Sequence, residues 1–332
     1  MLVRSAGLLT TVQDLGRPQA RRFGVPVSGA ADTLALRVAN LLVGNDEGAA
    51  ALESTLLGPT LQFRAETLVA VTGATSEVTV DGARAPMWRP LRLAAGAILS
   101  VGRAQRGVRC IVAVAGGIDV PPVLGSRSTC LRGAFGGFRG RALRIDDEVP
   151  LRAERRAPGE PAERGGARAP RWLADVRAFG AGTQPRELRF LPDDAFHALV
   201  PESRLALNET RYVVTSHSDR MGVRLAGEHL LLDEAARAAA ASRPSTPVAI
   251  GTIQLPPDGQ PIILLADAQV TGGYPILGHV IAADLPRVAQ AEPRVALALV
   301  PVTRATAAAA LAAQEEDLRR FRVGVRVAAR PA

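Results

Sequence analysis

The sequence predicts a mainly β protein with a few helices, divided into two domains, and three observations carry that expectation. Apolar runs are short and are bounded by Gly, Pro, Asn and Asp, which punctuate strands more than helices. Only two stretches carry a helical signature. One segment, Leu151 to Pro170 (LRAERRAPGEPAERGGARAP), holds almost no large hydrophobe, so it cannot pack as a strand or a core helix and marks a linker. With 332 residues and 47% hydrophobic content, enough apolar side chain lies on each side of it for a separate core. The expected organisation is therefore residues 1–150 as one domain, 151–170 as linker, 171–302 as a second domain and 303–332 as a closing helix and tail.

In chain order, Ala31 to Leu42 places Leu34, Val38, Leu41 and Leu42 on one helical stripe with Asp32 at its start, which predicts a helix. Leu68 to Val71, Glu77 to Val80, Ile98 to Val101 and Val108 to Ala115 read as strands. Val78 and Val80 run into Asp81-Gly82, a hairpin signal. After the linker, Glu187 to Leu191, Tyr212 to Thr215, Ile250 to Leu255, Ile262 to Leu265 and Val295 to Val300 read as strands. Many short strands with turn signals between them point to barrels or sandwiches. Ala305 to Arg322 lacks Gly and Pro and is rich in Ala, which predicts a helix.

All 40 basic residues are arginine and none is lysine. A Walker A loop, a Schiff-base nucleophile and a biotin attachment site each need a lysine, so none resides on this chain. The net charge of +8 raises nucleic-acid binding, but aromatics are only 4%, recognition motifs are missing, and the excess falls largely in Leu151 to Arg171 and Leu318 to Arg330. We read an arginine-biased surface, with neither nucleic acid nor membrane as partner. Cys110 and Cys130 follow no CxxC pattern, the four histidines are scattered, and no metal site is expected. The longest apolar runs fall short of the ~18 residues of a membrane span, and the cysteine usage fits a cytoplasmic protein.

The stretch Gly251 to Pro275 (GTIQLPPDGQPIILLADAQVTGGYP) carries the densest polar signal. Read as a strand, it puts Asp267, Gln269 and Thr271 on one face, leading into Gly272, Gly273 and Tyr274, where paired glycines allow close backbone approach. Buried amides and a carboxylate serving loop backbone are the alternative for each residue alone. Ser216 to Gly227 (SHSDRMGVRLAG) offers Arg220 as a fork for a carboxylate or phosphate and Asp219 as acid, base or acceptor; a turn with a surface ion pair is the other reading. In the N-terminal half, Asp14, Arg17 and Ser28 lie between glycines. Asn40, Asn45 and Asp32 are expected to satisfy loop backbone. Arg127, in LGSRST, sits in a turn that either holds an anion or is structural.

Taken together, TTVQDLGRP, GVPVSGAADTLALRVANLLVGN, LESTLLGPTLQF, AVAGGIDVPPVLGSRST, SDRMGVRLAG and GTIQLPPDGQPIILLADAQVTGGYP resemble the carboxyltransferase family also called allophanate hydrolase subunit 2, over about Gly7 to Val300. The resemblance implies two cyclophilin-like β-barrel domains. It further implies membership of a complex that opens 5-oxo-L-proline to L-glutamate, formed with a small, kinase-inhibitor-like sister subunit and with a large lactam-processing subunit. ATP is then used by the complex, and no cofactor is bound covalently here. Two alternatives come with the family: carboxyl transfer to urea or another amide, with biotin on a separate chain, and non-catalytic sequestration of a kinase-inhibitor homologue. Within the first reading, Asp219 or Asp267 handles the proton, Arg220 holds the substrate carboxylate or phosphate, and Gln254, Gln269, Gly272, Gly273 and Tyr274 bind or orient substrate. The chain departs from the family pattern at Val270, where a threonine is expected, at Ala241 to Pro247, where an acidic, glycine-containing stretch is expected, and at Asp146, where a glycine is expected.

Overall fold

The structure, a computed structural model, describes residues 1–152, 179 and 187–328. From residue 153 onward the expected linker lies outside the described residues. The chain divides into two compact units: Met1–Arg17, Ser28–Thr183 and Glu316–Ala332 form the first, and Pro18–Val27 with Gln184–Glu315 form the second.

The first unit contains β1 (Leu2–Ser5), β2 (Leu9–Gln13), α1 (Thr33–Leu42), β3 (Ala51–Thr55), β4 (Thr60–Gln62), β5 (Thr67–Val80), β6 (Ala83–Ala85), β7 (Pro90–Leu93) and β8 (Ile98–Val114). These strands form one sheet of eight, a half-barrel with antiparallel pairing throughout. Helix α1 starts where Asp32 accepts a hydrogen bond from Ala35 N at 2.9 Å, the side-chain cap its position predicts. The expected stripe of Leu34, Val38, Leu41 and Leu42 is buried, and so is Leu36 on another face, in one core with Ala70, Ile111 and Ala113 of the sheet. Each such leucine adds roughly 2 kcal/mol by leaving water. Asn40 and Asn45 serve backbone as expected: Asn40 Nδ2 donates to Glu47 O and Ala49 O, and Asn45 Nδ2 donates to Val114 O.

The Asp81-Gly82 hairpin forms, with φ of +50° and +80° at the two residues, the left-handed pair that a tight turn between twisted strands requires. The four strands expected between Leu68 and Ala115 are instead two long ones, β5 and β8. Register shifts at Gly73, Thr75 and Ser76 bend β5 without ending it. Asp146 adopts φ +67°, which explains why the family pattern has glycine there. Both cysteines are buried, and burial pushes the Cys110 thiol up to about 11.

The second unit contains β9 (Glu187–Pro192), α2 (Asp194–His197), α3 (Pro201–Glu209), β10 (Tyr212–Val214), β11 (Gly222–Ala226), α4 (Glu234–Ala241), β12 (Thr246–Pro247), β13 (Thr252–Gln254), β14 (Ile262–Leu264), β15 (Thr271–Gly272), β16 (Ile276–Val280), α5 (Leu285–Ala289), β17 (Ala296–Pro301) and the long helix α6 (Arg304–Ala328). Residues of α6 up to Glu315 group with this unit and the later ones with the first. Seven strands close a barrel in the order β10-β11-β14-β13-β16-β9-β17. Only β17 and β9 run parallel. The barrel is filled by Leu188, Phe190, Tyr212, Val223, Ile253, Ile263, Leu277 and Leu297, all but out of reach of solvent. Strands β12 and β15 form a separate two-stranded ribbon outside it. Among the described residues no helix is long and apolar enough to cross a membrane.

Candidate functional site

The polar stretch around Asp267 is not a strand. β14 ends at Leu264, and the chain turns through Ala266-Asp267, with Ala268 N donating to Leu265 O at 3.1 Å, before the two-residue β15. A turn breaks the alternation of faces, so Asp267 and Gln269 do not form a row: Asp267 is buried and Gln269 is exposed. The turn is held because Asp267 N donates to Arg220 O at 2.9 Å and Leu265 N to Met221 O at 2.9 Å.

That contact brings Arg220 and Asp267 side by side. Arg220 Nε lies 2.8 Å from Asp267 Oδ2 and Nη2 lies 3.1 Å from Oδ1, a bidentate ion pair with both side chains at least nine-tenths buried. The two charges neutralise each other and fix the turn. Asp219, one residue earlier, is exposed, and its Oδ1 accepts from Met221 N at 2.7 Å and Gly222 N at 3.2 Å. Asp219 is thus the solvent-facing carboxylate of this segment.

Gln254, at the end of β13, is 2% exposed, and among the described residues its Nε2 has no hydrogen-bond partner. It packs against Gly272: a Cβ at that position would stand 2.3 Å from Gln254 Nε2. Thr246, paired with Gly272 across the ribbon, likewise has a buried hydroxyl without a partner among the described residues. Buried donors are seldom left open, since each costs about 1–3 kcal/mol unless something satisfies it. Gly273 faces the segment that departs from the family pattern, with Arg243 O and Ser245 Oγ at 3.8 and 3.7 Å from the place a Cβ would take. Tyr274 is 45% exposed beside it.

Sequence reasoning missed one arrangement in this unit. His279 Nε2 lies 2.9 Å from Asp193 Oδ2, and His279 Nδ1 lies 3.2 Å from Thr252 Oγ1, which also accepts from Ala249 N at 3.0 Å. The order of groups is that of a nucleophile relay, but Thr252 is fully buried and its hydroxyl reaches no substrate. The chain instead ties the start of α2 to the turn before β13. Its members stand 86 and 27 positions apart, and no local pattern marks them.

The candidates of the N-terminal half gather in the first unit around Asp14. Its Oδ1 accepts from Gly16 N at 2.8 Å, Ser126 Oγ at 2.6 Å and Ser128 Oγ at 2.5 Å, and its Oδ2 from Arg127 N at 2.6 Å. The LGSRST turn is thereby folded around a carboxylate. The Arg127 side chain turns away to Val120 O at 2.9 Å. Arg17, 1% exposed, donates to Ser128 O and to Val123 O and stacks 5.0 Å over the Phe135 ring. Ser28 is 2% exposed at φ +54°, and its Oγ has no partner among the described residues. Among the described residues no group of His, Cys, Asp and Glu is placed to hold a metal ion.

Comparison with known proteins bears on this arrangement at the level of the whole chain. It is 41% identical over 286 residues to the C subunit of 5-oxoprolinase from Escherichia coli K12, an overlap of 86% of either chain. It is 32% identical over 305 residues to urea amidolyase of Saccharomyces cerevisiae, covering 90% of this chain but 16% of that one. The crystal structure of Kluyveromyces lactis urea carboxylase superposes with a TM-score of 0.85 at 31% identity, over 96% of this chain and 29% of the other. The family model for the carboxyltransferase domain, subdomain A and B, matches residues 23–301, so the polar turn, the ribbon and Gln254 all fall within it and the chain belongs to that family.

Proposed function

We propose that this chain is the C subunit of a cytoplasmic ATP-dependent 5-oxoprolinase, which opens 5-oxo-L-proline to L-glutamate together with a small sister subunit and with a large lactam-processing subunit. The observation that supports it most is the end-to-end match to the C subunit of 5-oxoprolinase, whereas the urea enzymes contain a comparable region only as a fraction of a longer chain. A lactam carbonyl is resonance stabilised and resists water. Phosphorylating its oxygen with ATP makes the carbon electrophilic; water then adds and the ring C–N bond breaks with a proton passing to nitrogen, leaving an acyl phosphate that a second water hydrolyses to carboxylate and phosphate.

Since this chain has no lysine, lysine contacts to ATP come from the partners. Its own contribution in this reading is orientation. Gln254 Nε2 is a buried donor for a carbonyl or phosphoryl oxygen, and Asp219 is the exposed carboxylate able to take a proton; Asp267 is occupied by Arg220. Reconstitution tests the proposal: glutamate release from 5-oxoproline is measured with each subunit omitted in turn. Turnover is expected only with all three and ATP, and full turnover by this chain alone would refute the complex. The structural match to urea carboxylase keeps carboxyl transfer as the second reading, which predicts bicarbonate- and biotin-dependent activity on urea instead.

A further inference from the structure

We propose that a cleft between α2 and α4 binds a small carboxylic acid that also carries an N–H, a lactam acid or an amino acid. The cleft has a volume of about 340 Å³, within the range of small-ligand sites. Its walls are fixed by backbone. Leu199 and Leu232 form an isolated antiparallel bridge, flanked by Val200 N to Leu231 O at 3.0 Å and Asp233 N to Ala198 O at 2.9 Å, which sets α4 beside α2. Pro275, which follows Gly272, Gly273 and Tyr274, also lines the cleft.

Helix α4 explains why the space stays open. Asp233 caps it through Ala236 N at 2.7 Å, yet none of its residues is buried. Ala236, Ala239 and Ala240, spaced three and four apart, turn one face to the cleft. Methyl groups give an apolar floor without filling the volume.

Two charged residues of the lining are unmatched. Arg243 is half-buried and Asp194 exposed; both line the cleft, and among the described residues neither side chain makes a hydrogen bond or ion pair, with each other or with anything else. Elsewhere in this unit the arginines near a carboxylate use it: Arg189 holds Asp284 at 2.7 Å and Arg220 holds Asp267 at 2.8 Å. A guanidinium fork lining a cleft suits a ligand carboxylate, and a carboxylate on the same lining suits a ligand N–H. The alanine methyls accept ring or chain methylenes. 5-Oxoproline and glutamate both have this pattern, and urea, with no carboxylate, does not. The choice of these ligands rests on the function proposed above; the charge pattern does not.

The test is calorimetric titration of the full chain, without turnover. Three probes separate the contacts: 5-oxo-L-proline, cyclopentanecarboxylate, which keeps ring and carboxylate but has no N–H, and 2-pyrrolidinone, which keeps the N–H but has no carboxylate. 5-Oxoproline is expected to bind tightest, and Arg243→Gln to weaken it about tenfold or more, as loss of a charge-assisted fork should. Arg243→Lys should recover part of that loss and Asp194→Asn should weaken 5-oxoproline but not cyclopentanecarboxylate. Neither side chain has a partner to lose, so thermal midpoints should hold. Absence of binding at millimolar concentrations, equal binding of all three probes, or wild-type affinity in Arg243→Gln would overturn the proposal. A reconstituted complex that hydrolyses 5-oxoproline at full rate with Arg243→Gln would refute the cleft and leave the function standing, and binding without any hydrolysis would do the reverse.

Discussion

Asp14 in the first unit and Asp267 in the second are both buried carboxylates in turns, and they are satisfied in opposite ways. Asp14 is surrounded by four neutral donors, two hydroxyls and two backbone amides. Asp267 faces a guanidinium that is itself buried. In the first case the charge is spread over dipoles that the loop supplies locally; in the second, two full charges have been taken from water and depend on each other. A buried acid in a polar motif is therefore not by itself a chemical group in waiting. What separates the two turns is the immediate neighbourhood: the hydroxyls of Ser126 and Ser128 that hold Asp14 are used, whereas near the Asp267 turn Gln254 Nε2 and Thr246 Oγ1 have no protein partner among the described residues, a lack that Ser28 Oγ shares in the first unit.

The largest expected effect comes from Asp267→Asn. It leaves the Arg220 charge buried opposite a neutral amide and should destabilise the second unit by about 3–5 kcal/mol, the usual result of removing one partner of a buried pair. Denaturant unfolding would show it, and the double variant Arg220→Met, Asp267→Leu should recover most of the loss. A stable Asp267→Asn protein would mean that the pair contributes little and that the two carboxylates do not differ in this way. Asp14→Asn should cost less, ~1–3 kcal/mol, because the amide then faces four neutral donors rather than a guanidinium that had paired with both carboxylate oxygens. An equal or larger loss than for Asp267→Asn would invert the comparison. The smallest stability change is expected for Gly272→Ala, about 1 kcal/mol or less, since the one close approach of the added methyl is to the amide end of Gln254 at 2.3 Å, with Val248 Cγ1 at an ordinary 3.5 Å. Its readout is turnover of the reconstituted complex, which should fall when the amide is displaced; unchanged kcat and KM would remove Gln254 from the substrate.

Much of the frame was legible in the sequence because it rests on local chemistry. The Asp32 cap, the α1 stripe, the Asp81-Gly82 hairpin and five of the seven barrel strands follow from residue spacing, whereas β11 and β16 were not expected. Two misreadings share one cause, which is that periodicity reports burial on one face and nothing else. The alternation of Asp267, Gln269 and Thr271 looked like a strand, but the Arg220 contact, 47 positions away, makes it a turn. Helix α4 was not predicted at all, because with no buried residue it has no apolar stripe to display; only the Asp233 cap and the run of alanines announced it. The same lack of burial left the cleft open. Asp194 and Arg243 come to one cleft only through the bridge at Leu199 and Leu232, which no spacing rule contains.

The burial of both cysteines and the lack of lysine give the chain an unusual chemical silence toward labelling reagents. No side-chain amine is present for acylation, and a thiol pushed up to about 11 and shielded from solvent stays protonated and unreactive at neutral pH. A single cysteine placed on the surface, at Ser242 on the lip of the cleft for example, would then be the one reactive handle, and a fluorophore attached there would report ligand entry without a background signal to subtract.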